Sequence, residues 1–110
     1  MIEMNLQPRP FEMIKKGIKT IEMRLYDEKR KKIKVGDIIA FTNDKTKELL
    51  HVKVTNLFVY DSFESLYKNF TKQEIGYMDK EIANPTDMEL YYPKEKQEKY
   101  GVLAIQINLI

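Results

Sequence analysis

The chain contains no cysteine, so neither a disulfide framework nor a thiolate metal site can form, and packing alone must hold the fold. With His51 as its one histidine it also lacks the donor set of a durable zinc or iron site, and no metal or cofactor is expected. Its four glycines are scattered, which excludes the glycine-rich turns that cradle phosphates in Walker and Rossmann folds. The only serines, Ser62 and Ser65, fall at the start of one helical pattern and far in sequence from His51, so no serine nucleophile with a histidine base is foreseen. No apolar run approaches the ~20 residues that a membrane helix needs. The opening residues, with Glu3 and Asn5 among Ile2, Met4 and Leu6, do not read as a secretory signal. What remains is one domain over residues 1–110 with one continuous core, expected to be cytoplasmic and monomeric and to have no membrane partner.

The net charge of +2 is too small to announce a nucleic-acid partner by itself, but it is unevenly spread. Residues 1–60 hold 13 Lys or Arg against 8 Asp or Glu, and residues 61–110 hold 6 against 9. The positive field belongs to the first half, and its densest part is residues 26–34, where Lys29, Arg30, Lys31, Lys32 and Lys34 crowd around Asp27 and Glu28.

Apolar and polar residues alternate over 2–6, with Ile2, Met4 and Leu6 on one face, and predict a first strand. Pro8 and Pro10 then lead into a helix of about two turns with Phe11, Met13 and Ile14 toward the core and Gly17 as its stop. Residues 19–25 return to period two: Ile21, Met23 and Leu25 point one way, Thr20, Glu22 and Arg24 the other. Two antiparallel strands follow over 37–43 and 49–60, and the second changes phase near Asn56, the mark of a bulge that helps a sheet curl. Ser62 caps a short helix carrying Phe63, Leu66, Tyr67 and Phe70. The stretch 71–92 has weak periodicity and predicts short helices and loops, residues 93–100 a charged helical turn ended by Gly101, and residues 102–110 a closing strand. Together these predict an α+β fold built on a small, strongly curved, mixed sheet, with helices inserted after the first strand and before the last.

Chemistry-bearing residues concentrate in Gly17-Ile18-Lys19-Thr20-Ile21-Glu22-Met23-Arg24. Strand geometry sets the Thr20 hydroxyl, the Glu22 carboxylate and the Arg24 guanidinium in a row with Lys19 at its head, and the expectation is that this row looks into a hollow flanked by positive charge. A surface ion pair between Glu22 and Arg24 would look the same in sequence. Lys29 and Arg30 extend the cationic surface, where phosphate contacts would add salt-dependent affinity. Tyr26, Tyr91, Tyr92 and Tyr100 are the aromatic side chains on which bases could stack. His51 alternates with Leu50 and Val52 and reads as a solvated strand residue.

That octapeptide resembles the G-x-K-T-x-E-x-R signature of the ASCH domain family, within the PUA-like superfamily. The similarity extends over the chain: Pro10-Phe11 before a short helix, residues 25–30 after the signature, Val35-Gly36-Asp37, Ser62-Phe63, and Tyr100-Gly101-Val102 before the closing strand. The resemblance implies a PUA-like curved barrel of about five or six mixed strands. It also implies a cleft that binds RNA or a nucleotide through Lys19, Thr20, Glu22 and Arg24, with Lys29, Arg30, Tyr26, Tyr92 and Tyr100 around it. Three other activities follow from it. One is a metal-independent ribonuclease acting on single-stranded RNA, with Glu22 as base and Lys19 and Arg24 stabilising the phosphate. Another is an amidohydrolase of acylated nucleosides, which calls for a threonine where this chain has Glu22. The last is a protein-interaction adaptor presenting Met78, Met88, Tyr91 and Tyr92.

Overall fold

The computed structural model describes residues 1–110. Five strands, β1 (Ile2–Leu6), β2 (Ile21–Leu25), β3 (Ile38–Asn43), β4 (Leu49–Tyr60) and β5 (Val102–Leu109), form one mixed sheet in the order β1-β3-β4-β5-β2. β1 runs parallel to β3, and every other pairing is antiparallel. β1 and β2 thus lie at opposite ends of the hydrogen-bonded order, yet Arg24 Nη2 on β2 donates to the Asn5 carbonyl on β1 at 3.1 Å. The sheet is therefore curled until its two edges nearly meet, a half-barrel with an open seam, as the phase change in β4 anticipated.

That phase change has a visible consequence. The β4–β5 register shifts between Val54 and Asn56. Val52 and Val54 face inward before it and Leu57 after it, so the extra residue keeps Asn56 out of the core. The inner core joins Met4 and Leu6 of β1, Ile39 and Phe41 of β3, Val52 and Val54 of β4, and Leu103, Ile105 and Ile107 of β5. Helix α1 (Pro8–Lys15) plugs it with Phe11 and Ile14. Pro8 and Pro10 are tolerated because the first-turn N–H groups have no helical partner to lose.

A second core lies on the outer face, where Ile21, Met23, Leu25, Val102 and Ala104 meet Phe63 and Leu66 of α2 (Phe63–Tyr67) together with Ile75 and Met88. Ser62 starts α2 by accepting from the Ser65 N–H at 3.2 Å, as its position in the sequence predicts. Residues 68–93 cross this face in turns and a single 3-10 segment (Pro85–Leu90), and α3 (Lys94–Tyr100) hands over to β5. Polar links hold the cover in place of a helical stripe. The Tyr67 and Tyr77 hydroxyls lie 2.9 Å apart, and the Tyr77 hydroxyl donates to Asp87 Oδ2 at 2.8 Å. Lys72 Nζ donates to the Asp79 and Glu81 carbonyls, and Glu81 forms an ion pair with Arg9 of α1. No helix is long and apolar enough to cross a membrane.

Candidate nucleic-acid interface

β2 positions the centre of the site. Its register against β5 opposes Glu22 to Ile105 and Arg24 to Leu103, so both polar side chains share the inner face with the core, while Met23 opposes Ala104 on the outer face. The alternation expected of β2 is real, but both of its faces are covered. Lys19, just ahead of the strand, is fixed by its backbone N–H donating to the Met13 carbonyl. The Thr20 and Ile21 N–H groups both donate to the Glu74 carbonyl, which brings the cover segment down over the motif. Gly76 lies against the Lys19 stem, and a Cβ there would stand 3.2 Å from Lys19 Cδ.

Three charges meet inside. Lys19 Nζ is 2.8 Å from Glu22 Oε1, and Arg24 donates through Nε to Glu22 Oε2 at 2.8 Å, with Nη2 2.7 Å from the same oxygen. Glu22 is only 3% exposed and Lys19 7%. Burial pushes the Glu22 carboxyl up, but the Lys19 and Arg24 charges and their hydrogen bonds outweigh it and hold it down to about 2. Burial likewise opposes the charge on Arg24, yet Glu22 raises its pKa above the ordinary value. Glu22 is therefore a permanent anion shared by two cations. A general base works best with a pKa near the working pH, so this carboxylate, far below it and out of solvent, acts as a counter-ion and is poorly suited to taking a proton from a ribose hydroxyl.

The row does not open into one hollow. Arg24 lines a depression of about 660 Å³ along the seam with Lys29, Arg30, Lys32, Asp37 and Ile33 on one side and Ile2, Glu3, Met4 and Asn5 of β1 on the other. Lys19 and Thr20 line a separate, smaller depression of about 300 Å³ with Gly17, Ile14 and Val52 and with Ile107, Asn108 and Leu109 of β5. Glu22 lines neither and lies between their two sets of lining residues in the motif. The basic loop brings Lys29 and Arg30 to the seam. Arg30 is held there by Asp27, with Nη1 to Oδ2 at 2.7 Å and the Arg30 N–H to Oδ1 at 3.1 Å.

The tyrosines separate by location. Tyr92 packs on the outer core, stacks on Phe63 with centroids 6.2 Å apart, and lies within electrostatic reach of Arg24 and Arg30. Burial raises its phenol pKa, with the two arginines pulling against it. Tyr26 packs on the inner core under Lys31, and Tyr100 on the outer core beside Lys99; neither lines either of these two depressions. Met88 is buried, whereas Met78 and Tyr91 are exposed. His51 is exposed on β4. The sequence reading missed the β1 wall, Ile2 to Asn5, because a short alternating strand carries no sign of facing a distant edge. It also missed Asp27 as the anchor of Arg30, for which the i, i+3 spacing was the available signal.

The ASCH domain model matches residues 4–110, and the chain belongs to the ASCH domain family. Among solved structures, the crystal structure of hypothetical protein PH0355 is 39% identical, with 98% of this chain and 97% of that one covered and a TM-score of 0.82. The solution NMR structure of protein PF0455 from Pyrococcus furiosus is also 39% identical, covering 99% and 96% of the two chains with a TM-score of 0.77. The crystal structure of ASCH from Zymomonas mobilis shares the fold at 14% identity, with 96% of this chain and 65% of that chain covered and a TM-score of 0.66. No curated protein matches the sequence.

Proposed function

We propose that this protein binds single-stranded RNA or a nucleotide along the seam between β1 and β2. The observation that carries this reading is the composition of the 660 Å³ depression: Arg24, Lys29, Arg30 and Lys32 against Glu3 and Asp37, around an apolar floor of Ile2, Met4 and Ile33. Cations in excess supply phosphate contacts, and an apolar floor accepts part of a base or sugar. The internal Glu22 pair supports binding over turnover, because it fixes Arg24 without offering a base of suitable pKa.

Fluorescence anisotropy with a labelled single-stranded RNA tests the reading. If two to four phosphates are neutralised, log K falls linearly with log salt, with a slope of about −1.5 to −3. Replacing Lys29 and Lys32 together by Gln reduces that slope by about 1.4. No RNA retention at low salt, or affinity independent of salt, removes the proposal.

A further inference from the structure

We propose that Arg24 and Arg30 jointly seat a single phosphoryl group at the seam, each guanidinium held along one edge by a carboxylate and presenting its remaining N–H groups to the ligand. This rests on the reading of the seam as an RNA or nucleotide interface and names the atoms that would do the recognising.

Arg24 commits Nε to Glu22 and Nη2 to Asn5 and its guanidinium also interacts with the Tyr92 hydroxyl, and Nη1 makes no hydrogen bond to Glu22 or Asn5. Arg30 commits Nη1 to Asp27, while its Nε is buried with no hydrogen-bond partner. That Nε is enclosed by protein and out of a ligand's reach, so the donor Arg30 can offer to the depression is Nη2, which makes no hydrogen bond within the protein. Both arginines line that one depression, Arg24 from β2 and Arg30 from the basic loop.

The chemistry of the acceptor follows from the donors. Two planar guanidiniums from different elements, β2 and the basic loop, suit an anion with several oxygens in a tetrahedral array, which a phosphoryl group has and a carboxylate lacks. Both side chains are already immobilised, so little rotamer freedom is lost on binding. Lys29 and Lys32 are exposed and fit a different role, diffuse attraction of flanking phosphates.

The phosphoryl group could be an internal diester or a terminal monoester, and one experiment separates them. Protein labelled with 15N at arginine is titrated with a dinucleoside monophosphate, a nucleoside 5′-monophosphate, inorganic phosphate, the unphosphorylated nucleoside and acetate, following the arginine Nε–Hε resonances. The expected result is a saturable shift of the Arg24 and Arg30 signals with the phosphate-bearing ligands only, the tighter of diester and monoester identifying the source. Arg30→Lys, which keeps the charge but not the fork, weakens that ligand by about tenfold, while Lys68→Gln, at an exposed position outside the depression, changes it by less than about threefold. Thermal denaturation of both variants confirms that they remain folded. Silent arginine signals, equal shifts with acetate, or a folded Arg30→Lys variant of unchanged affinity overturn the seat. Silent signals in a protein that still retains RNA in the anisotropy assay sink the seat and spare the RNA reading. Shifts with inorganic phosphate in a protein that retains no RNA do the reverse.

Discussion

Replacing Glu22 by Gln keeps the shape of the side chain and removes its charge, leaving the buried Lys19 and the half-buried Arg24 side by side with no anion between them. In the native protein the two cations lie 2.8 and 2.7 Å from the carboxylate oxygens. Removing one partner of a buried ion pair typically costs about 3–5 kcal/mol, because the survivors stay desolvated and unpaired. Proton linkage gives an independent figure. A carboxyl lowered from 4.5 to about 2 on folding corresponds to a stabilisation on the order of 3 kcal/mol at neutral pH. The folded pKa lies below the unfolded one, so this stabilisation is complete above about pH 5 and disappears as the pH falls toward 2. A domain of this size has roughly 5–15 kcal/mol in total, so the loss is a large share. Urea unfolding of wild type and Glu22→Gln from pH 7 down to pH 2.5 measures it. The expected gap is about 3–5 kcal/mol at pH 7, shrinking steadily below about pH 5. A gap under about 1 kcal/mol at pH 7, or one that stays constant with pH, would refute the buried-anion account. Replacing Lys19, Glu22 and Arg24 together by Met should recover most of the stability while abolishing the proposed binding, since well-packed apolar side chains often substitute for a buried charge cluster without loss.

Two glycines make contrasting tests. Gly101 has a φ of +75°, and an added Cβ would stand 3.1 Å from the Tyr60 carbonyl, a backbone atom that cannot yield; Gly101→Ala should cost about 2–3 kcal/mol in chemical denaturation. Gly76 has a φ of +109°, but the nearest atom to its missing Cβ belongs to the flexible Lys19 stem, so Gly76→Ala should cost less, about 1–2 kcal/mol. Its heavier effect should fall on the Lys19–Glu22 pair, seen as a weaker pH dependence of stability. Ser62→Ala removes the cap of α2 and should lower stability by about 1 kcal/mol, measured against a near-neutral Glu64→Ala on the exposed side of the same helix.

Much of the architecture was legible because its signals are local. Alternation marked β1, β2 and β5, the two prolines marked the start of α1, Ser62 marked α2, and the spacing from Val54 to Leu57 marked the bulge. The site was legible in its members but not in its arrangement. An alternating strand with Glu and Arg on one side reads as half-solvated, and nothing within residues 19–25 discloses that Leu103 and Ile105 of the inner core lie beside those side chains. The β1 wall was hidden for the same reason: Asn5 meets Arg24 only because the whole sheet curls. Residues 68–93 gave a weak signal because Tyr67, Tyr77, Asp87 and Lys72 fasten them through hydrogen bonds, which have no sequence period.

The pairing of β2 with β5 also sets a timetable for folding. Residues 21–25 leave the ribosome early but find their ladder partners only when residues 102–106 arrive, whereas β3 and β4 are neighbours joined by a turn and can zip at once. Such wide sequence separation slows folding. The hairpin should therefore acquire protection from hydrogen exchange first in a pulse-labelling experiment, and the Lys-Glu-Arg strand last. A nascent chain stalled before residues 102–110 would carry Arg24 on an undocked ribbon, so the proposed binding would switch on with closure of the half-barrel and not by degrees.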